Sequence, residues 1–392
     1  RPTVHRATER NPMSKPPLDQ HREANASAAQ VDEIARTIEA SGVEFVYYQG
    51  VTITGRVIGK VVPAKHLRRN LDRGVNLHRT AISDLQSDRA GNLLGGGVHA
   101  AEFTAMPDLD TFSVLPWDTT VARFFTQIYE PDHLPEVGGR PLDTDARGHF
   151  RRMHAEFTEA TGLHLRSGCE PEMTWTGPGL AADVRPGGSP AYHVDHLERY
   201  RPIYQKVITY AQALGLDMIE GDYEDPGQLE LNWMFDHADL TADRLVTYRQ
   251  ICRQVARELG ITASFMPKPA TGMMGNGCHH NVSLWRGEEN ILADPGRAGM
   301  KDTVNIKIKY REPFRPFAPS VPVERAADFV AFPDVERLLP PRFMLMVAPV
   351  RPEKRAVIPA VTHVDFSARI QTVDRDQAPA FEPFECGEDR TG

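Results

Sequence analysis

Acidic residues on predicted β-strands constrain the fold of this chain most, because carboxylates that share one face of a sheet repel one another. Glu170 and Glu172 flank a single proline, and strand alternation points both carboxylates to the same face. Glu230 lies on a second predicted strand, shortly after Asp222 and Glu224. Because buried carboxylates lose hydration as well as repelling one another, such a group requires cations. The pattern predicts strands whose acidic faces meet around metal ions.

A histidine completes this set of candidate ligands. His279 ends a segment punctuated by glycines, Gly272-Met-Met-Gly-Asn-Gly-Cys-His279. Hard divalent ions prefer oxygen ligands, which points to Mg²⁺ or Mn²⁺, and one imidazole favours tolerance of Mn²⁺. Two such ions can bridge the phosphates of ATP during phosphoryl transfer. Taken one at a time, the motifs favour salt-bridged strand carboxylates and an unrelated turn over a metal site.

Composition excludes several other classes of function. The net charge is -8 over 392 residues, which argues against a surface that binds nucleic acid. No apolar run approaches the roughly 20 residues that span a bilayer, so no membrane partner is expected. The four cysteines are scattered without CxxC spacing, which suits a reducing compartment and favours the cytoplasm.

Periodicity and turn residues divide the chain into segments. Residues 1–26 are polar and predict a disordered arm. A capping box, Ser27-x-x-Gln30, is expected to start a helix that stops at Gly42. Strand-like runs then form a small mixed domain, and a segment rich in Gly, Pro and Asp (131–147) predicts a domain boundary. The fold class that follows is α+β.

Longer motifs in a fixed order resemble the glutamine synthetase family of ATP-dependent ligases over about residues 43–290. The motifs are Gly168-x-Glu170-x-Glu172, Pro226-Gly-Gln-x-Glu230, Ala263-Ser-Phe-Met-Pro-Lys-Pro269 and Gly275-Asn-Gly-Cys-His279-His-Asn-Val-Ser283. The resemblance implies a β-grasp N-terminal domain over residues 27–130. It also implies a partial catalytic domain of antiparallel strands and helices over residues 148–290.

The same resemblance implies roles for individual residues. One metal ion would be held by Glu172, Glu230 and either Asp222 or Glu224, two acids between which the sequence does not choose. The other members of the implied site are Glu170 and His279 for a second metal ion, Gly275 and Gly277 for glutamate, and Asn281 and Ser283 for the nucleotide. ATP would be the co-substrate, and glutamate and an amine the partners. The family also implies a homo-oligomer, although a shortened catalytic domain counts against one here.

Departures from the family pattern bear on the amine and on activity. Leu77-His-Arg-Thr-Ala81 stands where the family has Phe-Asp-Gly-Ser-Ser, so His78 replaces the acid associated with ammonium. Losing this carboxylate favours an organic amine. Asn281 replaces the family's second histidine, and Asp222 is one methylene shorter than the usual ligand. After Ile291 the family's arginine-rich segment and last metal-binding Glu do not follow, which predicts an inactive ligase.

The remaining sequence resembles the C-terminal, YrdC-like α/β domain of carbamoyltransferases. The resemblance covers about residues 290–373, and the domain is assigned to residues 291–392. A row of alternating cations, extended by one arginine, predicts an anion site for carbamoyl phosphate or a nucleotide: Lys307, Lys309, Arg311 and Arg315. Spacing alone favours a solvated edge strand, and the resemblance reverses that preference.

Joining these two families near residue 290 leaves three hypotheses. The first is a carboxylate–amine ligase, and the second is carbamoyl-phosphate or nucleotide binding by the C-terminal domain. The third is a non-catalytic chimera, produced by gene assembly or recombination rather than by an evolved fusion.

Overall fold

The first half of the fold is a mixed sheet with helices packed on it. The computed structural model describes residues 15–94, 97, 99–180, 191–271 and 274–292, and the backbone of residues 304–307. The elements of the first half, in chain order, are α1 (Pro17–Ser27), α2 (Gln30–Ser41), β1 (Phe45–Val51), β2 (Val57–Pro63), α3 (Leu67–Arg73), β3 (Val75–His78), β4 (Glu102–Pro107), β5 (Ser113–Leu115) and β6 (Asp118–Tyr129).

Within the described residues, these strands form one sheet in the order β2-β1-β6-β4-β3, with β5 also paired to β6. Strands β1 and β6 are parallel, and the other pairings are antiparallel. Apolar side chains from α2, α3 and the sheet make its core, which includes Ile34, Leu71 and Phe124. The first half therefore contains a mixed sheet, and the β-grasp assignment of residues 27–130 stays a prediction.

The start of the chain differs from the expectation of a disordered arm over residues 1–26. Residues 17–27 form α1, which has a proline in its first turn, a favourable position for that residue. Leu18 is fully buried in a small cluster with Met106 and Tyr129. The two ring nitrogens of His21 lie 2.9 Å from the Tyr129 hydroxyl and 3.0 Å from the Pro107 carbonyl oxygen. The prediction is thus wrong for residues 17–26, and residues 1–14 lie outside the described part.

The expected capping box is also absent. Ser27 is the last residue of α1, and its hydroxyl donates to the carbonyl of Glu23 at 2.8 Å instead of capping α2. Helix α2 begins at Gln30 without a side-chain cap. Its C-terminus follows the prediction, because Gly42 is left-handed with φ 68° and closes the helix.

The second half contains a larger antiparallel sheet covered by long helices. Its elements are α4 (Ala146–Thr161), β7 (His164–Thr176), α5 (Val194–Arg199), α6 (Arg201–Ala213), β8 (Met218–Tyr223), β9 (Gln228–Trp233), β10 (Asp236–His237), α7 (Ala238–Leu259), β11 (Thr262–Ser264), β12 (Cys278–Arg286), β13 (Glu289–Asn290) and β14 (Val304–Lys307). In the described part the strand order is β13-β12-β7-β9-β8, with β10 and β11 also on β7.

One face of this second sheet packs on α6 and α7. Its core includes Met173 and Trp175 of β7, Val207 of α6, and Tyr248 and Ile251 of α7. Because alternate residues of β7 point to opposite faces, the residues between these core positions point away from the helices. Glu170, Glu172 and Thr174 lie on that other face.

Strand β14 follows the expected domain boundary at residue 290 and pairs with the second sheet. It pairs antiparallel with β12, and His279 faces Lys307 in the register. Residues 304–307 therefore extend the second sheet, although the sequence places them in a separate YrdC-like α/β domain. Apart from residues 291 and 292, the rest of that domain lies outside the described residues. No helix in the described part is both long and apolar enough to cross a membrane.

A buried group of charges joins the two halves. The Arg147 guanidinium at the start of α4 is 4% exposed, and one nitrogen lies 2.8 Å from Asp108 and 2.7 Å from Asp243. Asp108 follows β4 in the first half, whereas Asp243 lies on α7 in the second. Arg151 adds a contact of 3.0 Å to Asp108. The two halves therefore meet through ion pairs as well as through packing.

Candidate metal centre

Three neighbouring strands bring the predicted acids together. Glu172 of β7 is directly opposite Glu230 of β9, and Glu230 is in turn opposite Asp222 of β8. Glu224 follows β8, and its backbone N–H donates to the Gln228 carbonyl oxygen at 3.2 Å. The antiparallel register therefore concentrates on a small area of sheet the acids that the sequence spreads over about sixty positions.

Glu172, Glu224 and Glu230 form the tightest acidic group, here called the carboxylate triad. One oxygen from each lies within 4.8 Å of the other two. Asp222 is adjacent but does not belong to this group. Of the two acids that the sequence left open, the geometry therefore favours Glu224 as the third carboxylate.

A second pair lies beside the triad. His279 of β12 is opposite Glu170 of β7 in the register, and its Nδ1 lies 3.2 Å from Glu170 Oε2. Asn281 Nδ2 donates to the other carboxylate oxygen of Glu170 at 2.6 Å. The charge of Glu170 also acts on Glu230, as does that of His279 on Glu224. Glu170 and His279 therefore interact electrostatically with the carboxylate triad and form one site with it.

Amide groups hold the triad carboxylates in position. Gln228 Nε2 donates to Glu172 Oε2 at 3.0 Å, and the Gly277 backbone N–H donates to the same oxygen at 2.7 Å. Asn232 Nδ2 donates to Glu230 Oε1 at 2.8 Å. Sequence reasoning missed Gln228 and Asn232 as members of the site. Their spacing of two residues on either side of Glu230 was the available signal, because it places all three on one strand face.

The predicted glutamate-binding glycines lie against the triad. A Cβ on Gly277 would lie 2.7 Å from Glu172 Oε1, so a side chain at this position would displace the Glu172 carboxylate. The Gly275 carbonyl oxygen accepts from Gln228 Nε2 at 3.0 Å. The structure therefore brings both glycines to the site.

The two residues predicted to bind the nucleotide differ in position. Asn281 contacts Glu170, as described. Ser283 is buried, and its Oγ accepts from the Trp285 indole N–H at 2.8 Å. It lies four residues along β12 from His279, about 13 Å at the rise of an extended strand. The structure does not bring Ser283 to the triad, and its role stays a prediction.

The predicted anion-binding cations are described only in part. Lys307 ends β14, and its backbone pairs with His279 at the edge of the acidic site. Lys309, Arg311 and Arg315 lie outside the described residues. The prediction of a cation row therefore stays untested.

His78, the residue predicted to alter amine choice, ends β3 in the first sheet. Its Nδ1 lies 2.7 Å from the Thr80 hydroxyl, which fixes the ring against the following turn. Arg79 forms an ion pair with Glu130, and both side chains are mostly buried. The segment that replaces the family's acid is therefore ordered by its own hydrogen bonds.

Burial and mutual repulsion raise the pKa values of the acids. Loss of hydration, reinforced by the charges of Glu170, Asp222 and Glu172, raises the pKa of Glu230 to about 7, although the hydrogen bond from Asn232 opposes this effect. Desolvation also raises the pKa of Asp222, and it raises that of Glu224.

This donor set fits hard divalent cations. Asp222 Oδ1 and Glu224 Oε2 are buried without a hydrogen-bond donor from any described residue. A cation would satisfy these oxygens and relieve the repulsion, and carboxylates with one imidazole suit Mg²⁺ or Mn²⁺. The arrangement can therefore hold the ions that the sequence predicts.

The raised pKa of Glu230 makes the metal-free protein sensitive to pH. Between about pH 4.5 and about pH 7 the folded protein keeps a proton that the unfolded chain has released, so stability falls as pH rises through this window. We expect Glu230→Gln to remove about 1–2 kcal/mol of this fall, after allowance for partial exposure. Urea unfolding at about pH 5 and about pH 8, with a chelator present, measures the difference in the free energy of unfolding between the two pH values.

The pKa values of Asp222 and Glu224 are also raised, so these acids too lower the stability as pH rises. Glu230→Gln should therefore reduce the dependence of stability on pH without abolishing it. Glu39→Gln, at an exposed position of α2, should keep the full slope. An unchanged slope in Glu230→Gln would show that Glu230 is already ionised in the folded protein.

Comparison with known proteins agrees with the order of these motifs. The family model for the glutamine synthetase catalytic domain matches residues 143–308, which include every member of the site. Residues 143–308 are therefore similar to the glutamine synthetase catalytic domain. A second model, the carbamoyltransferase C-terminus, matches residues 286–384. A chain that joins parts of both families is consistent with these two matches.

Individual relatives extend the similarity into the first half. The chain is 28% identical over 263 residues to a glutamine synthetase from Pyrococcus abyssi, which covers 66% of this chain and 55% of that protein. It is 28% identical over 273 residues to a glutamate–methylamine ligase from Methyloversatilis universalis, with 67% and 57% covered. The chain therefore spans a little over half the length of these relatives.

Solved structures show the same relationship. A structure described as a GmaS/ADP complex is 27% identical and superposes with a TM-score of 0.58. The superposition covers 68% of this chain and 59% of that chain. The similarity supports the two-sheet arrangement of the glutamine synthetase-like part.

Proposed function

We propose that the glutamine synthetase-like part of this chain is built for ATP-dependent joining of glutamate to an amine, through γ-glutamyl phosphate. The observation that carries the proposal is the convergence of the carboxylate triad with Glu170 and His279 on one sheet face. Similarity to glutamine synthetases and to a glutamate–methylamine ligase supports this reaction class.

In this proposal the triad holds one Mg²⁺ or Mn²⁺ ion, and Glu170 and His279 hold a second. When bound, these ions would neutralise the phosphates of ATP and the charge that develops during phosphoryl transfer. Gln228 and the Gly277 N–H fix one oxygen of Glu172, while Asn281 fixes one oxygen of Glu170. These donors restrain the orientation of the Glu172 and Glu170 carboxylates.

We further propose that glutamate lies near Gly275 and Gly277, where the backbone already approaches Glu172 closely. Ser283 and Asn281 remain the proposed nucleotide contacts. The domain assignment follows the same proposal: a β-grasp domain at 27–130, a partial catalytic domain at 148–290 and a carbamoyltransferase C-terminal domain at 291–392. A homo-oligomer is typical of the family, and the shortened catalytic domain counts against one in this proposal.

The amine in this proposal is organic rather than ammonia. A carboxylate at the amine site attracts a small cation, and His78 stands where the family has that carboxylate. The similarity to a ligase that uses methylamine gives this choice independent support. The ring of His78 already contacts Thr80, so its position is defined before any substrate binds.

A direct test compares this chain with a fusion. In the fusion, residues 1–290 are followed by the remaining catalytic segment of the Methyloversatilis universalis ligase. We expect no detectable ADP release from the chain as it stands, because loss of each positioned cation costs about 10²–10³-fold in rate. The fusion should release ADP only with glutamate and an amine, faster with methylamine than with ammonium.

Two variants of the fusion sharpen the result. His78→Asp should shift the rate ratio toward ammonium by about tenfold, about 1.4 kcal/mol. Glu172→Gln should abolish release with either amine. Robust turnover by the unfused chain would contradict the proposed inactivity. A folded fusion that binds Mn²⁺ but releases no ADP with any amine would contradict the ligase.

A second candidate function rests on the carbamoyltransferase match at residues 286–384. The proposed cation row of Lys307, Lys309, Arg311 and Arg315 would then bind carbamoyl phosphate or a nucleotide. Carbamoyl-phosphate consumption, measured beside ADP release, separates this function from the ligase. A chain that shows neither activity would fit the third proposal, a non-catalytic chimera.

A further inference from the structure

A second group of metal-ligating side chains lies on the opposite face of the same two strands. Cys169 alternates with Glu170 on β7, while Cys278 and His280 alternate with His279 on β12. We call Cys169, Cys278 and His280 the thiol–imidazole cluster. One donor atom from each lies within 4.8 Å of the other two. The cluster is thus separated from the carboxylate triad by the thickness of the sheet.

Two of the three donor–donor distances within the cluster are close to those of a tetrahedral metal site. The two cysteine Sγ atoms are 3.4 Å apart, and Cys278 Sγ is 3.7 Å from His280 Nε2. Tetrahedral Zn²⁺, with Zn–S of about 2.3 Å and Zn–N of about 2.0–2.1 Å, requires S···S of about 3.8 Å and S···N of about 3.6 Å. For these two pairs, shifts of a few tenths of an ångström would reach the tetrahedral distances, and the third pair lies within 4.8 Å.

The register between β7 and β12 disfavours a disulfide between Cys169 and Cys278. Cys278 is opposite Pro171, and Cys169 is opposite His280, so the two cysteines are diagonal neighbours. Diagonal positions are separated by about 7–8 Å, beyond the usual Cα–Cα range of a disulfide. A metal ion between the sulfurs bridges this spacing without movement of the strands.

Burial gives the cluster one closed and one open side. Cys169 is 2% exposed and belongs to the core beneath the sheet, near Met173 and Tyr248. Cys278 and His280 are only half-buried, so an ion can enter from their side. A dry, apolar floor with an accessible rim favours tight binding by thiolates.

We propose that the thiol–imidazole cluster binds one Zn²⁺ ion through Cys169, Cys278 and His280, with the fourth position open to water or a small ligand. Soft sulfur ligands select this class of ion, whereas the carboxylates on the other face select Mg²⁺ or Mn²⁺. The ion links β7 to β12, the two strands that carry Glu170 and His279. Zinc binding therefore stabilises the strand pair beneath the carboxylate site.

Cobalt substitution tests this site separately from the acids. The probe is Co²⁺, added to the full-length, tag-free chain after chelator treatment and under a phosphine reductant. Thiolate ligands give cobalt a near-ultraviolet charge-transfer band that carboxylates do not give. We expect this band to saturate at one equivalent, to disappear on adding Zn²⁺, and to persist in Glu172→Gln.

The variants decide the assignment. Cys278→Ser and His280→Gln should each weaken Co²⁺ binding by more than the 10–100-fold typical of losing an outer-shell partner. Cys252→Ala, in the same core, and Cys386→Ser should retain the band. Because His280 is half-exposed, its variant remains informative if Cys278→Ser fails to fold. Absence of the band in the reduced chain, its survival in His280→Gln, or its loss in Cys386→Ser would overturn the proposal.

Discussion

Replacing Arg147 by methionine should lower the free energy of unfolding by about 3–5 kcal/mol, the cost of removing one partner from a buried group of ion pairs. The guanidinium is 4% exposed and contacts both Asp108 and Asp243, whose side chains are 7% and 10% exposed. Methionine keeps much of the side-chain volume, so the loss reports on the charge and not on a cavity. Urea unfolding followed by circular dichroism measures the change.

An exposed ion pair supplies the control. Arg68 contacts Asp32 at 2.7 Å, but the two side chains are 71% and 68% exposed, so Arg68→Met should cost less than about 1 kcal/mol. Adding Asp108→Asn and Asp243→Asn to Arg147→Met should recover part of the loss, because the two buried carboxylates otherwise share Arg151 as their remaining ion-pair partner. Equal effects of Arg147→Met and Arg68→Met would show that the buried charges do not hold the two halves together.

The shared face of the strand acids could be predicted from the sequence, because it depends only on the alternation of side chains along a strand. Alternation along a strand places Glu170 with Glu172, whatever the rest of the fold. The pairing of Glu172 with Glu230 required the register between β7 and β9, which the resemblance to a family implied and periodicity could not. Gly42 was similarly predictable, since a left-handed residue ends a helix independently of tertiary contacts.

Long-range contacts explain what the sequence could not show. Arg147 and Asp243 are 96 positions apart, and no local pattern marks them as partners. The disordered arm was predicted from polar composition, yet Leu18 and His21 anchor α1 to residues more than eighty positions away. Ser27 has the spacing of a helix cap, but its hydroxyl donates to the Glu23 carbonyl oxygen within α1 and does not cap α2.

Divalent metal ions should stabilise this chain through the carboxylate triad. Bound at a hundred times its dissociation constant, an ion adds about 2.7 kcal/mol to the free energy of unfolding. The bound ion stabilises the folded protein because its charge offsets the burial and the repulsion that raise the pKa of Glu230 to about 7. Glu172→Gln keeps the side-chain shape but removes one ligand charge, so it should abolish most of the gain.

Comparing each protein with and without metal separates this effect from the intrinsic stability of the variant. Glu39→Gln, which removes an exposed carboxylate of α2, should respond to Mn²⁺ like the wild type. Cys278→Ser should also keep the response, since Cys278 lies on the other face of the sheet.

The central measurement is therefore urea unfolding of the wild type and Glu172→Gln, each with saturating Mn²⁺ and with chelator. If the triad is a metal centre, Mn²⁺ stabilises the wild type by about 2–3 kcal/mol and Glu172→Gln by less than about 1 kcal/mol. Equal stabilisation of both proteins, or none in the wild type, would contradict the assignment of Glu172, Glu224 and Glu230 as metal ligands.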